Sequence, residues 1–161
     1  MNYSPIDLVL RVAAACEGAQ ESPVASNAGP FVERCQRVTG NTKGDAWCAS
    51  FVSMVGQTAL GAAWPMPLTA GCQVLADFAT KKKILKAAPA VGDVFLIWHP
   101  SMGRFAHTGF VLAVNPVVTI SGNTTLPGQA GDSREGWVVA RKPWTFQPAD
   151  RFVRWASLVE G

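Results

Sequence analysis

Histidine is scarce in this chain: His99 and His107 are the only two in 161 residues. Any chemistry that needs an imidazole has just these two to draw on. Charge is thin as well, at 16% Asp, Glu, Lys and Arg with a net of +3. That weak basic excess excludes the dense cationic stripe of a nucleic-acid binder, although it suits an anionic partner. Long apolar runs are missing, and none approaches the roughly 20 residues of a membrane span, so membrane insertion is not expected. The apolar stretch from Ile6 to Cys16 is interrupted by Arg11 and has no basic segment before it. It fits an amphipathic helix better than a signal peptide. Synthesis in the cytoplasm is therefore expected, and action outside would need a carrier. Paired cysteines are missing too: Cys16, Cys35, Cys48 and Cys72 form no CxxC, which argues against a zinc ribbon. Without an export signal, disulfides are not expected. There is no internal repeat and no low-complexity tract.

What is present is a globular composition, 48% hydrophobic, of a length that fits one domain over residues 1–161. The first half reads helical. Ser4-Pro5 can cap and open a helix running to about Cys16. Gly18 to Pro30 is a long loop, and Phe31 to Val38 a short amphipathic helix. After another loop, Asp45 to Val55 is apolar on most sides and reads as a buried helix. Trp64-Pro65-Met66-Pro67 ends it. Thr69 is a candidate N-cap for a helix reaching Lys82, and the cluster Lys81, Lys82, Lys83 and Lys86 reads as its solvated C-terminal end. Beyond Pro89 the pattern changes to strands: Val94–Trp98, Thr108–Val114, Val117–Ser121, Trp137–Arg141 and Phe152–Trp155. Gly92-Asp93 and Asn115-Pro116 are turns. Short turns between strands imply an antiparallel meander. The expected class is α+β, N-terminal helices packed on an antiparallel sheet of about five to six strands.

Cys48 stands out among the thiols. It falls near the predicted N-terminus of an apolar helix, after a polar loop, where the helix dipole favours a thiolate and free amides can hold an oxyanion. Cys16, Cys35 and Cys72 sit among apolar or helical neighbours and read as buried structural thiols. A thiolate needs a base. His107 is preferred to His99, because it opens a predicted strand and Gly109, two residues on, leaves its face open. A third group should orient the imidazole. Asn123 ends the strand expected to pair with the one carrying His107. Trp47 can wall the site or pack in the core. Asp45 can meet substrate or cap the helix.

Four motifs in order, Gly44-Asp45-Ala46-Trp47-Cys48-Ala49-Ser50-Phe51-Val52, Gly92-Asp93-Val94, His107-Thr108-Gly109-Phe110-Val111 and Ser121-Gly122-Asn123-Thr124, resemble the CHAP family of cysteine amidohydrolases and peptidases, within the papain-like and NlpC/P60-like folds. Glu21-Ser22-Pro23 with Asn27-Ala28-Gly29-Pro30 resembles the upstream loop of phage-associated members. Ser133-Arg134-Glu135-Gly136-Trp137 resembles their closing segment. The likeness spans about residues 15–155. It implies a papain-like fold, nucleophile Cys48, base His107 and orienting residue Asn123; Trp47 and Asp45 are the candidate substrate-binding residues beside them. Many members carry an acid two positions before this Asn, where this chain has Ser121, so Ser121 competes for the orienting role. The acidic pair some members use for calcium is missing, so no metal and no cofactor are expected. The resemblance implies a monomeric hydrolase acting on an amide bond of peptidoglycan in the bacterial wall, phage-released or delivered by a secretion system, with an immunity or delivery protein as a possible partner. Two alternatives stand beside it: a catalytically inactive wall- or protein-binding module of the same fold, and a cysteine hydrolase of a non-wall amide.

Overall fold

The computed structural model describes residues 2–129 and 135–160. Four helices come first: α1 (Pro5–Ala15), α2 (Pro30–Thr39), α3 (Cys48–Leu60) and α4 (Cys72–Lys81). Six strands follow: β1 (Leu85–Lys86), β2 (Val94–His99), β3 (Arg104–Val114), β4 (Val117–Thr124), β5 (Val138–Pro143) and β6 (Arg151–Val153). They form one antiparallel sheet in the order β1-β6-β2-β3-β4-β5. The class is α+β, as expected. The meander holds for β2 to β5, but β6 returns to pair with β2, and the two-residue β1 pairs outside it. β1 is too short to leave a periodic signal. No helix among the described residues is long and apolar enough to cross a membrane.

Local chemistry explains the helix ends. Ser4 and Asp7 form a reciprocal capping box ahead of Pro5, as the Ser-Pro signal suggested. α3 begins at Cys48, three residues later than expected, because Asp45 does not cap it. The Asp45 carboxylate instead accepts from Asn41 Nδ2 and the Thr42 amide, closing the preceding turn. α4 likewise begins after Gly71, and Thr69 caps nothing helical: its hydroxyl accepts from the Gly71 amide. Residues 81–83 of the lysine cluster are exposed at the end of α4.

α3 is the axis of the molecule. Every residue from Cys48 to Gly56 is buried, and the helix packs against α1 and α2 on one side and β3 and β4 on the other. One core cluster runs from Val9 in α1 to Ala156 near the C-terminus. Burial of this many aliphatic and aromatic side chains supplies the main drive for the fold. The far face of the sheet carries a smaller cluster of Phe95, Val111 and Phe152.

Candidate active site

The expected strand carrying His107 started at Thr108. β3 in fact starts at Arg104, so His107 lies within it. The register with β2 slips between Ile97 and Trp98, opposite His107 and Phe105, giving β3 one extra residue beside His107. A second slip lies between Ser121 and Thr124 of β4, and it contains Asn123, which takes a left-handed φ of 54°. Strand bulges re-aim side chains, and here they flank both sequence-predicted residues. β4 also runs three residues further than expected, so Asn123 lies inside it.

Two glycines make the close approaches possible. A Cβ on Gly109 would sit 2.6 Å from Ser121 Cβ and 2.8 Å from the Phe95 ring. A Cβ on Gly122 would sit 2.5 Å from the Trp47 ring. Neither position has room for a side chain. The glycine beside His107 thus opens space for Ser121, and Gly122 lets α3 settle on the sheet with Cys48 at its tip.

Cys48 and His107 are 4% and 2% exposed. The amides opening α3 meet no capping side chain, because the N-cap position is Trp47. The thiol of Cys48 is held well below the ordinary thiol value. Its largest cause is a hydrogen bond from Cys72, and burial opposes it. The His107 imidazole, through hydrogen bonding and charge, and the Ala49 amide add to the lowering. On His107, Nε2 lies 3.2 Å from Ser121 Oγ. The other nitrogen, Nδ1, is buried without a hydrogen-bond partner. The ring packs in a three-ring cluster with Phe95 and Trp144, at centroid distances of 5.8 and 6.3 Å, and it is buried.

A cleft of about 300 Å³ opens beside Cys48, lined by Ala46, Cys48, Ala70, Cys72, Met102, Arg104, Ala106, Asn123 and Glu135, with His107 outside that lining. Asn123 therefore faces the space over Cys48, while Ser121 holds the imidazole. Trp47 is fully buried, with its indole N–H donated to Glu21 Oε1 at 3.0 Å and its ring edge-on to Phe31. It is a packing residue with no surface to offer a substrate. Asp45 is exposed on the loop leading to Cys48 and is occupied with its turn. His99 lies at the end of β2 with Nδ1 3.0 Å from Ser101 Oγ, outside the cleft lining. Of the closing segment, Ser133 and Arg134 lie outside the described residues. Gly136 and Trp137 carry the chain across Thr124, where the Trp137 amide donates to the Thr124 carbonyl at 2.9 Å.

Three features escaped the sequence. Cys72 was expected to be a structural thiol; it is buried, but its Sγ lies 3.8 Å from Cys48 Sγ. The signal was available, because Cys72 also opens a helix behind small residues. Thr69, a capping residue type with a side-chain oxygen that Gly71 lacks, masks that helix start in the sequence. Glu21, in the loop before α2, is 1% exposed and holds both Trp47 and the Ser26 amide. Trp144 has no sequence feature that ties it to His107. A larger hollow of about 760 Å³, lined by Trp144, Phe146, Pro148 and other residues, carries no acid, base or thiol. No cluster of three or more His, Cys, Asp or Glu side chains that could hold a metal occurs among the described residues. Cys16 is only half-buried, and burial raises its thiol; Cys35 is fully buried and pushed up to about 12. Compared with family models, curated proteins and solved structures, the chain finds no match.

Proposed function

We propose that this protein is a cysteine hydrolase that cleaves an amide bond of peptidoglycan, with Cys48 as nucleophile and His107 as base. The observation that carries the chemistry is a single one: a buried thiol at an uncapped helix N-terminus, held toward thiolate and facing a cleft. Desolvation alone drives a thiol the other way, so this environment is an activating one. The wall substrate rests on the resemblance of the four motifs to the CHAP family, and the papain-like fold rests on the same motifs together with a helix-borne cysteine and a strand-borne histidine.

In this reading the Cys48 thiolate attacks the amide carbonyl. The amides opening α3 stabilise the oxyanion, and Asn123 faces the same space. The imidazolium of His107 protonates the leaving amine, giving an acyl-enzyme. Water, deprotonated by His107, then releases the acid. Ser121 accepts from Nε2–H and holds the tautomer that leaves Nδ1 for the sulfur. A hydroxyl orients the ring without the charge of a carboxylate. Mass spectrometry of purified peptidoglycan after digestion tests the reading. Release of new amine and carboxyl termini by the wild type, and none by Cys48→Ala, is the expected result. An unchanged wall with selective labelling of Cys48 by a thiol probe would redirect the reading to a non-wall amide. An unreactive Cys48 would leave a binding module.

A further inference from the structure

The surroundings of Cys72 assign it a part in the chemistry of Cys48. Two independent contacts fix the start of α4, one on the segment leading into it and one on its first turn. Ser53 of α3 grips the backbone of Thr69 at both ends, its hydroxyl accepting from the Thr69 amide at 3.0 Å and donating to the Thr69 carbonyl at 3.2 Å. Gln73 of α4 accepts from the Phe105 amide of β3 at 3.2 Å. Cys72 is thus pinned between the helix that bears the nucleophile and the strand that bears the base. Both thiols are free, and 3.8 Å is far outside the roughly 2.05 Å of a disulfide. At that distance, in a buried site, the two sulfurs can carry one negative charge between them but not two.

The charge belongs on Cys48. His107 and the Ala49 amide favour charge on Cys48, whereas Cys72 has the exposed Arg104 and a backbone amide in its favour, which do not outweigh its burial beside Cys48. Cys72 therefore keeps its proton and has one acceptor to aim it at. We propose that Cys72 is a positioning residue whose S–H donates to the Cys48 thiolate and holds the nucleophile ionised in the resting protein. This inference rests on Cys48 being the nucleophile. The groups facing the pair are His107 and Arg104 from β3, and Glu135 across the cleft.

The test reads the thiol directly. Iodoacetamide alkylation of Cys48, located by peptide mapping under reducing conditions, is followed against pH for the wild type, Cys72→Ala and Cys72→Ser. Circular dichroism and thermal melts check each fold. The wild-type midpoint is expected below the ordinary thiol value of about 8.5. Cys72→Ala should raise it by about one unit or more, and Cys72→Ser, which keeps a donor, by less. The acid limb of kcat/KM should move with it. Superimposable midpoints in all three proteins overturn the inference while leaving Cys48 as nucleophile. Alkylation of Cys72 in place of Cys48 overturns it as well. A wild-type Cys48 that titrates as an ordinary thiol takes down both this inference and the nucleophile assignment.

Discussion

Cys35 and Cys48 are both buried in the same core, thirteen positions apart in the chain, yet their thiols are driven in opposite directions. Cys35 lies in the middle of α2, where burial dominates and pushes it up to about 12. Cys48 opens α3, where a second thiol, an imidazole and a backbone amide outweigh burial. Burial by itself makes a cysteine inert. What lowers a buried thiol is the set of donors placed around it, and at Cys48 a helix end beside His107 and Cys72 supplies them.

The sharpest break of this comparison is to exchange the residues. Cys48→Ser should remove hydrolysis, by at least about a thousand-fold, with the melt unchanged. Cys35→Ala and Cys16→Ala should keep most of the rate. Loss of activity in a folded Cys35→Ala would mean that the wrong thiol carries the reaction. The base comes next. His107→Ala should be inactive to a similar degree, whereas His99→Ala, outside the cleft, should stay within a few-fold of wild type on the same substrate. Steady-state kinetics in which His99→Ala is the dead protein would reverse the assignment.

A smaller effect separates Ser121 from Asn123. Ser121 holds Nε2 of His107, so Ser121→Ala should lower kcat by about 10–100-fold. Ser121→Asp, which puts a carboxylate on the ring, should raise its basicity and shift the alkaline limb of the profile upward. Asn123→Ala, which alters the cleft over Cys48, should also lose rate, but by a smaller factor than Ser121→Ala. Measured in one assay, the reverse order returns the orienting role to Asn123. The smallest effect is on stability. Glu21→Ala leaves the buried Trp47 indole N–H and the Ser26 amide without their acceptor, at a cost of about 1–3 kcal/mol. Denaturant melts check this, and a Glu21→Ala protein as stable as wild type would show that water takes over the role.

Periodicity made the α+β class legible, and the scarcity of histidine narrowed the base to two residues. Cys48 and His107 stand out in the sequence because each sits at a local signal, a helix start and a strand with a small neighbour, and the structure keeps both signals. The rest depends on register. Two strand slips and the lengths of β3 and β4 decide that Ser121 meets the imidazole and Asn123 meets the cleft, and no local pattern encodes a slip. Cys72, Glu21 and Trp144 reach the site from segments distant in sequence, through contacts that only the packed tertiary structure creates. Helix ends were misplaced by about three residues where a polar side chain, Asp45 or Thr69, was bound in a turn instead of a cap.

The proposed nucleophile and base, Cys48 and His107, belong to different halves of the chain, one on a helix, the other on a strand some sixty residues later. During synthesis α3 emerges before β3 exists, so Cys48 first leaves the ribosome as an ordinary thiol. The His107 contribution to the lowered thiol of Cys48 exists only once the sheet has closed over the helix. Under the proposed reading, hydrolytic competence would thus be timed by folding, and a partial opening that parts α3 from β3 would leave Cys48 an ordinary thiol again.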